Sequence, residues 1–96
     1  MLTSRQRASL RAMANNLEPV AQVGRQGVTP EQVRSLDEAL EARELIKLTV
    51  LKNCPDEPES VAETLAGRTR SEAVQVIGNK IVLYRKSRTK PAIEVK

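Results

Sequence analysis

The sequence predicts an α+β fold of two layers, with helices packed on one mixed four-stranded sheet in the order α-β-α-β-α-β-β. Three observations carry that expectation. Two threonine-led capping patterns open amphipathic helical stretches. The first two strand runs are joined through a helix, so they are expected to be parallel with a right-handed crossover. Gly78-Asn79 separates two β-branched runs, which marks a hairpin and an antiparallel pair at the end of the chain. With 96 residues there is room for one small core and no second one.

The first helix is expected to start at Thr3, because Thr3-Ser4-Arg5-Gln6 lets the Thr hydroxyl and the Gln side chain each satisfy an orphan N–H. Leu10, Met13, Ala14 and Leu17 recur at helical spacing, and Arg5, Arg7 and Arg11 lie off that stripe. Asn15-Asn16 weakens the helix end and Pro19 closes it. Pro19 to Val23 reads as a short strand. Thr29-Pro30-Glu31-Gln32 repeats the capping pattern, with Pro at the first helical position. In the second helix Val33, Leu36, Ala39 and Leu40 form the buried stripe, with Glu31, Asp37, Glu38 and Glu41 off it.

Glu44 to Lys52 alternates as a strand with at least one half-wet face. Pro55 and Pro58 make the next stretch a loop, and Glu59 to Ala66 a short helix stopped by Gly67. Ala73 to Ile77 and Ile81 to Arg85 are the hairpin strands. The chain after Ser87 is read as a loose basic tail containing Lys90, with a short apolar pair, Ile93 and Val95.

Charge is distributed unevenly about a net of +4. Residues 1–25 carry net +3, residues 26–67 net −5 and residues 68–96 net +6. If the two basic ends meet they form one face that attracts a polyanion; otherwise they are two solvated termini. Histidine is absent and Cys54 is the only cysteine, which removes the commonest general base, the commonest metal ligand and any disulfide framework. The acids Asp56, Glu57, Glu59 and Glu63 are accounted for by a helix start. No enzyme, metal site or cofactor is therefore expected. The chain shows no membrane-spanning run and no secretory segment. The acid-free, Arg-bearing residues 1–17 are better read as a capped helix than as a transit peptide, so a cytoplasmic location is expected.

The stretch Gly24-Arg25-Gln26-Gly27 feeds directly into the second helix. Glycines let the backbone approach a ligand, a helix start offers N–H groups to an anion, and Arg25 adds a charge. Loops of this GxxG form clamp nucleic-acid backbones in KH-type domains. Taken alone, the loop reads equally as a plain connection. Arg85, Lys86, Arg88 and Lys90 form a basic run that is either a solvated tail or an extension of a phosphate-binding surface.

The segments VAQVGRQGVT, ELIKLTVLKN and IGNKIVLYRKS, in this order and spacing, resemble the CRM domain. That family is named for chloroplast RNA splicing and ribosome maturation, and its single-domain bacterial form is the YhbY-like protein. The resemblance runs from about Leu2 to Ser87. It divides the chain into a domain of residues 1–87 and a basic tail of 88–96. It implies a fold related to the C-terminal domain of translation initiation factor 3, binding of structured RNA, and association with precursors of the large ribosomal subunit. The family's loop falls on Gly24, Arg25, Gln26 and Gly27, and its closing strand motif on Leu83, Tyr84 and Arg85.

The expected RNA-contacting residues are then the loop with Thr29, together with Arg85, Lys86 and Arg88, and, by charge alone, Arg5, Arg7 and Arg11. Tyr84 is expected to pack on the sheet rather than stack on a base. The expected partner is ribosomal RNA, with no membrane and no small-molecule substrate, and the protein is expected to be a monomer. A Gly27→Asp change is expected to abolish RNA binding while keeping the fold. The rival expectation is a protein-interaction module that docks its basic face on an acidic ribosomal protein or assembly factor.

Overall fold

The structure, a computed structural model, describes residues 2–89 and 91–93. Its elements follow the expected order: α1 (Ser4–Ala14), β1 (Ala21–Val23), α2 (Pro30–Arg43), β2 (Leu45–Val50), α3 (Pro58–Thr69), β3 (Glu72–Ile77) and β4 (Lys80–Tyr84). Both threonines cap as their contexts predict. Thr3 accepts from the Gln6 amide while the Gln6 side chain takes the Thr3 amide, a complete capping box. Thr29 accepts from the Gln32 amide, but here the reciprocal half is missing, because the Gln32 side chain reaches the Gln22 carbonyl at 2.6 Å instead.

The strands form one mixed sheet in the order β1-β2-β4-β3. β1 is parallel to β2, with Val23 opposite Val50, and β4 is antiparallel to both β2 and β3. At the β3–β4 turn Gly78 takes φ 56 and Asn79 keeps a negative φ, so only the first central residue needs glycine's freedom.

The helices divide between the two faces of the sheet, so two expected layers become three. On one face Ile46, Leu48, Val50, Ile81 and Leu83 pack with Leu36 and Leu40 of α2 and Val61, Ala62 and Leu65 of α3. On the other, Leu45, Val74, Val82 and Tyr84 pack with Leu10 and Ala14 of α1. The reason is visible in β2, whose supposedly half-wet face buries Leu45 and Thr49 as well. Apolar surface on both faces demands two covers, and each fully buried leucine such as Leu10 contributes about 2 kcal/mol. Met13, expected on the buried stripe of α1, is 40% exposed.

α3 does not stop at Gly67. It continues to Thr69 and ends on Arg70, which adopts the left-handed conformation with φ 57 and ψ 40. Gly67 costs a helix only about 1 kcal/mol. Burial of Leu65 and Thr69, whose hydroxyl donates to the Leu65 carbonyl, carries the helix across it.

The segment after β4 is anchored where the sequence suggested a loose tail. Glu41 accepts from the Ser87 hydroxyl and from the amides of Arg88 and Thr89. Glu44 accepts from the amides of Ser87, Ala92 and Ile93, each at 2.7 Å. Ile93, like Leu2 and Leu17, packs against the α1-side cluster, so the two ends of the chain lie on the same face of the sheet. Lys90 and Val95 lie outside the described residues. Among the described residues no helix is long and apolar enough to cross a membrane.

Candidate nucleic-acid interface

Gly24 to Gly27 form a β-turn closed by the Gly27 amide donating to the Gly24 carbonyl at 2.9 Å. That bond uses only the outer two residues. The amides of Arg25 and Gln26, both exposed, remain for solvent or a ligand. The turn rims a polar hollow of about 470 Å³ lined also by Gln22, Thr29 and Gln32. Sequence reading brought Gly24, Arg25, Gln26, Gly27 and Thr29 to one place, and the structure does the same. It missed Gln22 and Gln32, which converge only because β1 and the first turn of α2 lie side by side. Gln at the third helical position reads as half of a capping box, so nothing local marked Gln32 as a lining residue.

The helix start contributes less to anion binding than its sequence suggests. Pro30 has no N–H, the Gln32 amide is taken by the Thr29 hydroxyl, and the Val33 amide by the Thr29 carbonyl. Thr29 is thus occupied as a cap, and the turn amides are the principal backbone donors.

The two glycines play different parts. Gly27 is buried with φ 67, and a β-carbon there would sit 3.5 Å from the Asp56 carboxylate. Gly24 has no such φ, and a β-carbon would make ordinary contacts with Leu51 and Asn53. This corrects the expectation for Gly27→Asp. A side chain there strains the turn and sets one carboxylate against another, so that variant probes folding as much as binding.

Arg85 is an internal tie. Its guanidinium donates to the Asp37 carboxylate, to the Asp37 carbonyl at 3.0 Å and to the Thr69 carbonyl at 2.7 Å, with Glu41 at 3.6 Å. Only 12% of the side chain is exposed. The fork of Arg suits this crossing of α2, α3 and β4, which a lysine could not span in the same way. Lys86 and Arg88 are exposed, and Arg88 keeps its Nε 3.4 Å from Glu41.

Position separates these residues from the loop. Tyr84 pairs with Leu45 at one end of β2, whereas the loop follows Val23, which pairs with Val50 at the other. Five residue steps along a strand amount to about 17 Å. Arg85, Lys86 and Arg88 therefore do not extend the loop's surface; they follow β4 at the opposite end of the sheet.

On α1, Arg7 donates to the Ala73 carbonyl at 2.8 Å and lies 3.6 Å from Glu72, which ties the helix to β3. Arg5 is exposed and Arg11 half-buried. The chain's one aromatic side chain, Tyr84, is 8% exposed and packs in the α1-side core, as expected. Burial pushes its hydroxyl pKa up, and the nearby Glu44 charge adds to that. Cys54 is half-buried against the other core cluster.

Comparison with known proteins agrees with this architecture. The CRS1 / YhbY (CRM) domain family matches residues 2–85. The "Probable RNA-binding protein YqeI" of Bacillus subtilis is 48% identical over 95 residues, covering 99% of each chain. An "RNA-binding protein" of Haemophilus influenzae is 31% identical over 86 residues, covering 90% of this chain and 87% of its own. The solution structure of the Staphylococcus aureus protein SAV1595 superposes with a TM-score of 0.84 at 46% identity over the whole of both chains. The matched residues run from α1 through β4 and include the GRQG turn, and the chain belongs to the CRS1/YhbY (CRM) domain family.

Proposed function

We propose that this protein binds RNA through the Gly24–Gly27 turn and acts, without catalysis, on ribosomal RNA in precursors of the large ribosomal subunit. The observation that supports it best is the turn itself: two exposed residues, Arg25 and Gln26, whose amides the closing bond leaves unused, beside a polar hollow and the Arg25 side chain. Backbone amides and Arg25 suit a phosphate. With Tyr84 buried, the described surface offers no aromatic platform for bases, so shape and phosphate spacing govern recognition rather than base stacking. The relatives' names and the family's association with RNA point the same way.

The direct test is Arg25→Glu, which places a carboxylate on an exposed turn without touching its φ or its closing bond. Affinity for a large-subunit ribosomal RNA transcript should fall by at least tenfold, with an unchanged melting temperature. Normal binding by that folded variant would remove the turn from the interface.

A second reading, a protein-docking module, is favoured by one feature. An apolar hollow of about 600 Å³ lies between the end of α1 and the β1 edge, with Met13, Leu17, Val20 and Leu45 in its wall and Arg43 and Lys47 at its rim. Nuclease treatment of a lysate before fractionation separates the readings. An RNA-tethered complex falls apart, and a protein-only one survives.

A further inference from the structure

The end of the sheet opposite the turn carries a second group of arginines. Arg68 and Arg70 at the end of α3, with Arg85 and Arg88 after β4, surround a hollow of about 420 Å³ whose other lining residues are Asp37 and Thr69. Four arginines therefore meet two carboxylates, Asp37 in the lining and Glu41 beside Arg85 and Arg88, and neither acid is within ion-pair distance of Arg68 or Arg70. The Asp37 charge is already engaged by Arg85, which is fixed by Thr69 and Asp37 into the floor of the hollow. Arg68 and Arg70 are exposed above it, and the Arg88 side chain is 73% exposed. The C-terminal dipole of α3 attracts these cations and helps hold them there.

Arg70 adds an independent indication. It occupies the left-handed helix cap with φ 57, a position that glycine or asparagine fills at least cost. An arginine there bears backbone strain that glycine would not. Its amide and that of Ser71 both return to the Ala66 carbonyl, so the strained geometry is fixed and the side chain starts from a rigid point. Strain of this kind is tolerated where a side chain is needed in one place.

We infer that Arg68, Arg70 and Arg88, standing on the fixed Arg85, form a second phosphate-binding site for the same RNA, at the far end of the sheet and more than about 17 Å from the turn. This rests on the RNA-binding reading and adds to it a requirement for length. Forked guanidinium donors match phosphate oxygens in pairs, and the cluster holds arginines rather than lysines throughout. An RNA that satisfies both sites must be rigid enough to present phosphates across that span, which selects folded RNA over flexible single strands.

The experiment measures binding of a bacterial large-subunit ribosomal RNA transcript by wild type, Arg68→Gln, Arg70→Gln, the double variant and Arg25→Glu, across about 50 to 300 mM salt. Each single Gln change should reduce the slope of log affinity against log salt by about one, and the double change by about two, with roughly tenfold weaker binding near 100 mM. The paired variant Arg68→Lys/Arg70→Lys should keep the slope and part of the affinity. Melting temperatures should match wild type for Arg68→Gln, which is exposed and helical and does not itself carry a positive φ. If the Gln variants keep wild-type affinity and slope while Arg25→Glu weakens, there is no second site and the RNA-binding reading stands. Weakening with an unchanged slope also overturns the second site, because no phosphate contact was lost. If the wild type binds no transcript, the reading itself has failed and the second site with it.

Discussion

The two ends of the sheet use polar residues in opposite ways. At the Val50 end the GRQG turn spends one hydrogen bond on itself and leaves two amides and an arginine outside. At the Leu45 end Asp37, Glu41 and Glu44 are consumed internally, on Arg85 and on the backbone of residues 87–93. The second end looks richer in charge along the sequence, yet its acids and Arg85 are structural. Charge written in a sequence is thus a poor guide to charge offered to a partner. The amides of the two central residues of a tight turn are a better one, because the turn's closing bond does not use them.

The largest effect should come from breaking the internal end at Glu44. The residue is 1% exposed, and its backbone sits at φ 67 and ψ −40, unusual for glutamate. Burial alone would raise the carboxyl's pKa, but the amides of Ser87, Ile93 and Ala92, with the Lys86 charge nearby, hold it below its ordinary value. Glu44→Ala orphans three amides at roughly 1–3 kcal/mol each where they stay buried. We expect a loss of at least about 3 kcal/mol in urea denaturation, a large share of a small domain's stability. A loss below about 1 kcal/mol would mean that the tail is not anchored and that the two ends do not differ as described.

Much of the fold was readable because its signals are local. The Thr3 capping box, the Thr29 cap and the Gly78-Asn79 turn each depend on residues a few positions apart. The GRQG turn belongs to the same class. Glu44 was not readable as an anchor, since its partners lie more than forty positions downstream and a glutamate before a strand normally faces water. Arg85 was misjudged for the same reason, because Asp37 and Thr69 reach it only through the packing of α2 and α3 against β4. Gly67 failed as a stop signal because helix propensity is weak beside the burial of Leu65 and Thr69.

Acid titration should sharpen the contrast. Hydrogen bonds from the Ser87 hydroxyl and the Arg88 amide outweigh the effect of burial, and further bonds from Thr89 bring Glu41 down to about 2 from 4.5. A carboxyl with a lowered folded pKa contributes stability that is complete above its unfolded value, near 4.5. That contribution is lost as pH falls through the folded value near 2. The Arg88 and Thr89 amide resonances should therefore move together with a midpoint near 2, and Glu41→Gln should abolish that titration. The Arg25 and Gln26 amides should not follow it. A midpoint near 4.5 at Arg88 would mean that Glu41 is free in solution.

The smallest effects lie within the turn, and they distinguish its two glycines. Gly27→Ala forces a β-carbon into φ 67 and should cost about 1–2 kcal/mol. Gly24→Ala meets Leu51 at 3.5 Å and Asn53 at 3.6 Å, ordinary contacts, and should stay within about 0.5 kcal/mol of wild type. Thermal unfolding of the two variants checks this ordering, and equal losses would mean the turn is not closed as described. Because Gly24→Ala leaves the fold intact, its RNA affinity is informative in its own right. A methyl at position 24 that weakens binding without loss of stability would show the RNA backbone pressed against the turn, with Arg25 and Gln26 as its donors. If affinity is unchanged, contact would begin only at the Arg25 side chain.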